Sequence, residues 1–154
     1  MLYPLSYGGN PQNGAVRAYP TTGRLSLMAR VLVADDTSSI RFLIRTNLEI
    51  AGFEVDEATD GQNCLDLLHG DAPLPDLLTV DVMMPRRDGL STVRALRAHP
   101  RTKDLPIVMV TTQGQAADVQ RGMDAGVNAY ITKPFDPDHL VETVRTLIGG
   151  RPLG

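Results

Sequence analysis

The stretch from Leu77 to Asp81 constrains the fold of this chain more than any other. The apolar run Leu77–Val80 ends directly in Asp81, and a second short apolar run then reaches the turn pair Asp88-Gly89. A continuous apolar run bounded by turn residues is typical of a strand buried on both faces. Asp81 would then lie at the carboxyl end of the strand, where open parallel sheets bind ligands. Taken alone, Asp81 is equally well interpreted as a turn-capping residue, because Asp favours turns.

Four other strands and five helices are predicted around this stretch. The other strands are expected at 29–34, 53–58, 106–110 and 129–132, and the one at 53–58 alternates apolar and acidic residues like a half-exposed edge strand. Helices are expected after the caps at 37–39, after Asp60-Gly61, at 89–98, at 116–125 and from Pro137, after the cap Asp136, to 148. The first helix carries apolar residues at helical spacing, and the second carries a short apolar set: Ile40, Leu43, Ile44 and Leu48; and Cys64, Leu65, Leu67 and Leu68. The apolar residues of the third and last helices are expected to face inward: Leu90, Val93, Ala95 and Leu96; and Leu140, Val144, Leu147 and Ile148.

Strands that alternate with helices are parallel, because a parallel pair needs a crossover connection. We therefore predict an α/β fold made of a single doubly wound, flavodoxin-like (βα)5 domain, with the sheet order 2-1-3-4-5, which is one of two common orders for such sheets. This order places strands one and three side by side at the topological switch point, which is where such sheets bind ligands.

Composition narrows the class of protein. The chain has 154 residues, enough for one domain with a substantial core, and a formal net charge of −3. There is no clustered basic excess of the kind that marks a nucleic-acid-binding surface, so no direct DNA binding is expected. The single cysteine, Cys64, excludes an intrachain disulfide and favours a reducing compartment. No apolar run could span a bilayer and no secretory signal is apparent, so we expect a cytoplasmic protein without membrane association.

The two ends of the chain differ from its middle. Residues 1–28 contain repeated turn-forming pairs without a periodic apolar pattern, so a disordered N-terminal extension is expected. A docking arm using Tyr3, Tyr7 and Tyr19 is the alternative, and Met28, directly before the first strand, is an alternative start of the protein. The folded domain is expected at 29–148, followed by a flexible tail at 149–154.

Polar residues follow the predicted strands where each strand ends. The first strand ends in Asp35 and Asp36, the third in Asp81, the fourth in Thr111 and the fifth in Lys133. Because the first, third and fourth strands are expected to be neighbours, these side chains should converge on one crevice. Three carboxylates repel one another unless a cation is present, and hard oxygen ligands suit Mg²⁺. With a lysine and a hydroxyl beside them, the group predicts a site for a phosphoryl group with a carboxylate nucleophile.

From about residue 29 to 148 the chain resembles the receiver domains of two-component response regulators, of the chemotaxis type. Each matching segment is weak by itself, but their order on this α/β pattern is specific. The segments are Val31-Leu32-Val33-Ala34-Asp35-Asp36 with Arg41, Val80-Asp81-Val82-Met83-Met84-Pro85 with Asp88-Gly89, Val108-Met109-Val110-Thr111, Asp124-Ala125-Gly126, and Tyr130-Ile131-Thr132-Lys133-Pro134-Phe135.

The resemblance implies that Asp81 accepts a phosphoryl group from a histidine kinase or a phosphotransfer protein. It also implies a Mg²⁺ ion held by the side chains of Asp36 and Asp81, by the backbone carbonyl of Met83, and by Asp35 through water. The protein would then be a phosphoacceptor in signalling rather than an enzyme, with only limited self-phosphorylation and dephosphorylation.

The resemblance further implies a conformational switch. Thr111 would hydrogen-bond one phosphoryl oxygen and Lys133 would pair with another, with the lysine aimed inward by a cis bond between Lys133 and Pro134. The ring of Tyr130 would turn inward as Thr111 moves. The change would reach a downstream protein through the face formed by helix four, strand five and helix five, in a monomer or a phosphorylation-dependent dimer.

Three neighbours of the expected site leave its kinetics open. Met83 and Gln113 occupy positions that influence the access of water to the phosphoryl group in this family, so the lifetime of the phosphorylated state is not predicted. Thr112 stands where a small residue is usual, which could narrow the pocket into which Tyr130 turns.

Other functions remain as alternatives. One alternative is a phosphohydrolase with an aspartyl-phosphate intermediate. Resemblance to those enzymes would require two aspartates separated by one residue on the first strand. Asp35 and Asp36 are adjacent, which argues against this alternative. A receiver-like module that binds partners without phosphorylation is a third interpretation. No output-domain pattern follows residue 148, so a stand-alone receiver is expected, with the N-terminal receiver fragment of a larger, output-bearing regulator as the alternative.

Overall fold

The computed structural model describes residues 28–149, in which five strands and five helices alternate. The predicted N-terminal extension and most of the predicted tail lie outside these residues. The elements are β1 (Arg30–Ala34), α1 (Ser38–Ile50), β2 (Glu54–Ala58), α2 (Gly61–Leu68), β3 (Leu77–Val80), α3 (Gly89–Arg97), β4 (Ile107–Thr111), α4 (Ala116–Ala125), β5 (Ala129–Thr132) and α5 (Pro137–Gly149).

The strands form one parallel sheet in the order β2-β1-β3-β4-β5, which confirms the predicted fold class and topology. β2 is an edge strand, and its alternating burial explains why its sequence alternates apolar and acidic residues. β3 is buried along its whole length between β1 and β4. The four predicted strand ends that carry polar residues therefore share one edge of the sheet.

Each face of the sheet is covered by helices. Successive residues of a strand point to opposite faces, so the apolar strands present side chains that must be buried on both faces. On one face, α2, α3 and α4 pack against one set of strand residues, and on the other face α1 and α5 pack against the alternate set. The first core includes Leu32, Leu78, Val80, Met109, Cys64, Leu68 and Leu96. The second includes Val31, Val33, Leu77, Val108, Ile44, Leu48, Leu140 and Val144.

Two leucines within the apolar sets of α1 and α2 are exposed. Leu43 in α1 is 42% exposed and Leu67 in α2 is 45% exposed. Consecutive residues of a helix are about 100° apart around its axis, so the direct neighbour of a buried residue can lie on the flank of the buried stripe. The buried stripe of α1 runs through Ile44 and Leu48, which leaves Leu43 on its side.

The last helix begins as predicted. α5 starts at Pro137, and the Asp136 carboxylate accepts a hydrogen bond of 2.9 Å from the backbone N–H of Asp138. Proline suits this position because its missing N–H would have no partner within the helix.

Between residues 28 and 149, none of the helices combines the length and the apolar character needed to cross a membrane.

Candidate functional site

Three carboxylates meet at the carboxyl edge of the sheet. One oxygen atom from each of Asp35, Asp36 and Asp81 lies within 4.8 Å of the others. Asp35 and Asp81 are almost fully buried, with 1% and 6% exposure, whereas Asp36 is exposed. Their approach follows from strand pairing, since the backbone N–H of Asp81 donates to the carbonyl of Ala34 over 3.1 Å. Parallel pairing of β1 with β3 therefore brings together side chains that are distant in sequence.

Lys133 completes the cluster from the end of β5. Its Nζ atom donates to Oδ2 of Asp35 over 2.7 Å and to Oδ2 of Asp81 over 2.9 Å, and its side chain is only 10% exposed. Burial opposes the charge on the ammonium, but the hydrogen bonds to Asp35 and Asp81 outweigh it and raise the pKa of Lys133. The peptide bond from Lys133 to Pro134 is cis. The site therefore holds a permanent positive charge between two buried carboxylates.

Backbone N–H groups orient the two buried carboxylates. The N–H of Thr37 donates to Oδ1 of Asp35 over 2.9 Å, and the N–H of Met83 donates to Oδ1 of Asp81 over 3.2 Å. The loop after β3 passes so close that a Cβ atom on Gly89 would lie 2.1 Å from the carbonyl oxygen of Asp81. Only glycine allows this approach, which explains the Asp88-Gly89 pair in the sequence.

Thr111 and Tyr130 are joined through the backbone of Gln113. Thr111 is fully buried, and its Oγ1 accepts a hydrogen bond of 3.3 Å from the N–H of Gln113. The Tyr130 hydroxyl donates to the carbonyl of the same residue. Burial raises the pKa of Tyr130, and the nearby Asp118 carboxylate adds to this effect, so the hydroxyl keeps its proton at neutral pH. Gln113 thus connects the end of β4 to the ring on β5.

The side chain of Gln113 reaches the opposite rim of the site. Its Nε2 atom donates to Sδ of Met83 over 3.1 Å, and Met83 is 59% exposed. The two positions were singled out in the sequence for their influence on water access, but nothing in the sequence indicated that their side chains touch.

The site opens into a cleft of about 510 Å³. Six of its lining residues were singled out in the sequence, while Thr37 and Ile40 were given no role at the site. Asp35 and Thr111 lie behind the cleft wall rather than in its lining. The lining residues are Asp36, Thr37, Ile40, Asp81, Met83, Thr112, Lys133 and Pro134.

Two arginines support the site without lining it. Arg41 donates from a terminal guanidinium nitrogen to the backbone carbonyl of Asp35 over 2.8 Å, and its Nε binds Glu57 over 2.7 Å. Arg86, with φ of 65°, donates to Asp60 over 3.0 Å and so joins the loop after β3 to the start of α2. Arg41 belongs to the segment that follows Asp36, but the sequence did not indicate its contact with the Asp35 backbone.

The donor set fits a hard divalent cation. Three carboxylates and one ammonium leave a formal excess of two negative charges, and carboxylate oxygen is the ligand that Mg²⁺ prefers. A cation here would relieve the repulsion between the carboxylates. Asp81 is the buried carboxylate that faces the cleft, which suits a nucleophile attacking a phosphoryl group.

Comparisons with known proteins agree on one family. The family model described as "Response regulator receiver domain" matches residues 31–145. The DNA-binding dual master transcriptional regulator RpaA of Synechocystis is 39% identical over 125 residues, which cover 79% of this chain and 49% of that protein. The phosphate regulon transcriptional regulatory protein PhoB of Escherichia coli is 36% identical, covering 77% of this chain and 51% of that protein. The chain thus spans about half the length of these curated relatives.

Solved structures give the same result. The chemotaxis response regulator CheY4 of Vibrio cholerae has a TM-score of 0.72 at 35% identity, covering 78% of this chain and 98% of that one. The receiver domain of the Francisella response regulator 1452 has a TM-score of 0.74 at 31% identity, covering 80% and 99% of the two chains. This chain belongs to the response regulator receiver domains of two-component systems.

Proposed function

We propose that this chain is a phosphoryl-accepting switch in which Asp81 is the acceptor. Receiver domains are signalling phosphoacceptors rather than enzymes in the ordinary sense, and they interact with histidine kinases or phosphotransfer proteins. The observation that carries the proposal is the contact of buried Asp81 with Lys133 inside a cluster of three carboxylates that opens to the cleft. No other carboxylate of the cluster combines burial with a place in the cleft lining.

Mg²⁺ is the cofactor we propose, because receiver domains bind it in their acidic site and the donor set fits it. It would be held by the side chains of Asp36 and Asp81, by the backbone carbonyl of Met83, and by Asp35 through water. When bound, the ion would supply positive charge that offsets the excess of carboxylates and the charge on the incoming phosphoryl group.

The transfer itself requires one bond to form and one to break. An oxygen of Asp81 attacks phosphorus in the donor's phosphohistidine, and the N–P bond breaks as the O–P bond of the aspartyl phosphate forms. The electron pair and a proton go to the departing imidazole. The N–H of Met83 and the ammonium of Lys133, which already bind the two oxygens of Asp81, hold the carboxylate in position.

We propose that the switch runs from Asp81 to the face formed by α4, β5 and α5. Thr111 and Lys133 would bind phosphoryl oxygens, and Tyr130 would follow Thr111 because both are tied to the backbone of Gln113. A change in local charge would thereby bias a two-state element, which is how such switches act on partners. A downstream protein would bind this face, with the chain as a monomer or a phosphorylation-dependent dimer.

A second candidate is the receiver part of a longer transcriptional regulator. It is favoured by the relatives whose names describe transcriptional regulation, of which this chain spans about half. Our expectation that the chain itself does not bind DNA contrasts with the DNA-binding name of RpaA. The output part of such a regulator would lie outside the receiver, so the two candidates are separated by the mass of the native protein detected with an antibody to this chain: the mass of the receiver alone supports the first, and a clearly larger mass supports the second.

The experiment is intact-mass spectrometry after incubation with Mg²⁺ and acetyl phosphate. One phosphoryl adduct is expected, absent without Mg²⁺ and lost in Asp81→Asn, since the amide is not a nucleophile. Asp104→Asn, which changes an 89% exposed side chain outside the cluster, should keep the adduct. A folded protein that gains no adduct and does not respond to beryllofluoride would contradict the proposal. Turnover of a small phosphomonoester would instead support the phosphohydrolase.

A further inference from the structure

Gly122, in the middle of α4, lies directly against the ring of Tyr130. A Cβ atom added to Gly122 would lie 2.9 Å from both Cδ2 and Cε2 of Tyr130, and 3.3 Å from Sδ of Met109. Carbon atoms in van der Waals contact lie about 3.5–4.0 Å apart, so a methyl group and the ring cannot occupy these positions together. The missing side chain of Gly122 therefore forms a slot that the ring fills.

The ring is held in this slot from a second direction. The Tyr130 hydroxyl donates to the carbonyl of Gln113, while the ring packs against the core that includes Met109. The ring thus lies between α4 and the loop from β4 to α4, and the proposed switch would assign this position to the inward ring. Its place depends on one polar anchor at the hydroxyl and on free space at Gly122.

The backbone does not require glycine at this position. Gly122 is a buried interior residue of a regular helix, and the glycines with positive φ in residues 28–149 are Gly52 and Gly126. Glycine in a helix interior is less stable than alanine, which α4 uses at three other positions. Space for the Tyr130 ring, and to a smaller degree for Sδ of Met109, is thus what alanine at Gly122 would not leave.

A chain of hydrogen bonds leads from the ring to the phosphoacceptor. The Tyr130 hydroxyl binds the carbonyl of Gln113, and the side chain of Gln113 binds Sδ of Met83. The N–H of Met83 in turn binds Oδ1 of Asp81. A displacement of the ring would therefore act on the loop that faces Asp81.

We propose that Gly122 is the positioning residue of the switch. Its slot admits the Tyr130 ring to the inward position and so favours the phosphoryl-bound state of the Asp81 site. The step from the ring to Asp81 rests on the proposed function. Because coupling between two sites is reciprocal, filling the slot must weaken phosphoryl binding if phosphoryl binding favours the inward ring.

The position of the ring can be measured directly with 3-fluorotyrosine and ¹⁹F NMR. The Tyr130 resonance is assigned by its loss in Tyr130→Phe, and Gly122→Ala is expected to move it in the absence of any ligand. In a titration with beryllofluoride and Mg²⁺, Gly122→Ala should raise the half-saturating concentration by at least about fivefold. Gly149→Ala is the matched control, because a Cβ there meets nothing within 4 Å and should change neither reading.

A double-mutant cycle separates ring displacement from a general loss of structure. Gly122→Ala should lower the urea midpoint of the wild-type chain, because methyl and ring compete for one space. In a Tyr130→Ala background the same change should lower the midpoint much less or raise it, because the ring is gone and only the milder approach to the flexible Met109 side chain opposes the better helix propensity of alanine. An equal effect in both backgrounds, or an unmoved resonance, would overturn the proposal.

The two proposals fail in different ways. If the wild-type chain binds beryllofluoride and Gly122→Ala binds it equally well, the positioning role of Gly122 is wrong and the phosphoacceptor function stands. If the wild-type chain does not bind beryllofluoride, the phosphoacceptor function is wrong, and with it the link from the slot to Asp81.

Discussion

Nζ of Lys133 lies 2.9 Å from Oδ2 of Asp81, although 52 residues separate them in sequence. The same nitrogen is shared with Asp35, so one cation serves two carboxylates that water barely reaches. Removal of this cation should destabilise the fold by more than the ion pairs themselves stabilise it, because a buried charge without a partner is strongly unfavourable.

Lys133→Met is expected to lower the free energy of unfolding by about 3 kcal/mol at neutral pH, since it leaves two buried carboxylates without their cation. Urea denaturation measures the change. Lys103→Met is the matched control, because Lys103 is 59% exposed and pairs with an exposed Asp104, so little change is expected. Equal effects of the two substitutions would contradict the importance of the buried contact.

Thr79 and Thr102 form a matched pair of buried hydroxyls with opposite expectations. Oγ1 of Thr79 has no hydrogen-bond partner within the described part of the chain, whereas Oγ1 of Thr102 donates to the carbonyl of Leu96 over 2.7 Å. Thr79→Val should therefore raise the free energy of unfolding by about 1 kcal/mol, and Thr102→Val should lower it by about 1 kcal/mol. Thermal or urea unfolding of both variants tests this, and a loss of stability in Thr79→Val would sink the first expectation.

Arg97 connects three segments at the amino edge of the sheet. Its Nε donates to the carbonyl of Gly126 over 2.9 Å and a terminal nitrogen donates to Asn128 over 3.0 Å, while the other terminal nitrogen reaches the carbonyls of Thr102 and Lys103. Arg97→Met should lower the free energy of unfolding by about 2 kcal/mol, because hydrogen bonds from a charged group are the stronger ones. Arg94→Met, an exposed arginine of the same helix, should have little effect. Urea midpoints that fall equally for both would show that helix propensity, rather than this network, explains the loss.

His69 makes stability depend on pH. The ring centroids of His69 and His99 lie 4.2 Å apart in a stacked arrangement. Partial burial of the His69 ring lowers its pKa from the ordinary value of 6.5, and the charges of His99 and Arg101 lower it further. The unfolded chain therefore binds the proton more readily than the folded one. The contribution of His69 to stability is complete above about pH 6.5, the pKa in the unfolded chain, and is lost as the pH falls from there through the lower pKa of the folded chain. His69→Gln should flatten this part of the stability curve. An unaltered slope in His69→Gln would rule out this origin.

Met83 is expected to prolong the phosphorylated state. Its thioether accepts a hydrogen bond from Gln113, and Met83 lines the same cleft as Asp81, so removal of its side chain should ease the approach of water to Asp81. Met83→Ala should shorten the half-life of the aspartyl phosphate by about threefold, which corresponds to less than one kcal/mol of barrier. The decay of the adduct in intact-mass spectra measures this. Met123→Ala, an exposed methionine on α4, is the control, and equal decay in both would contradict the role of the rim.

Local patterns were sufficient to predict the ten elements. Apolar runs and helical spacing depend on neighbours a few residues apart, and the predicted strands and helices match the observed ones to within a few residues. The exposure of Leu43 and Leu67 could not be predicted in this way, because the spacing of apolar residues locates a stripe without defining its width. The alternation of strands and helices predicted a parallel sheet, and the order adopted for it, one of two common ones, located the crevice at the ends of β1 and β3.

The sequence by itself determined which elements form and which polar residues stand at the strand ends, and it narrowed the order of the strands to two common ones. Only the tertiary structure decided that Lys133 bridges Asp35 and Asp81, that Gln113 spans from Met83 to Tyr130, and that Gly122 leaves room for the Tyr130 ring. Element formation depends on local backbone and side-chain preferences, which the sequence carries directly. Contacts at the site depend on the side-chain geometry of residues far apart in the chain, and that geometry exists only once the sheet and helices have packed.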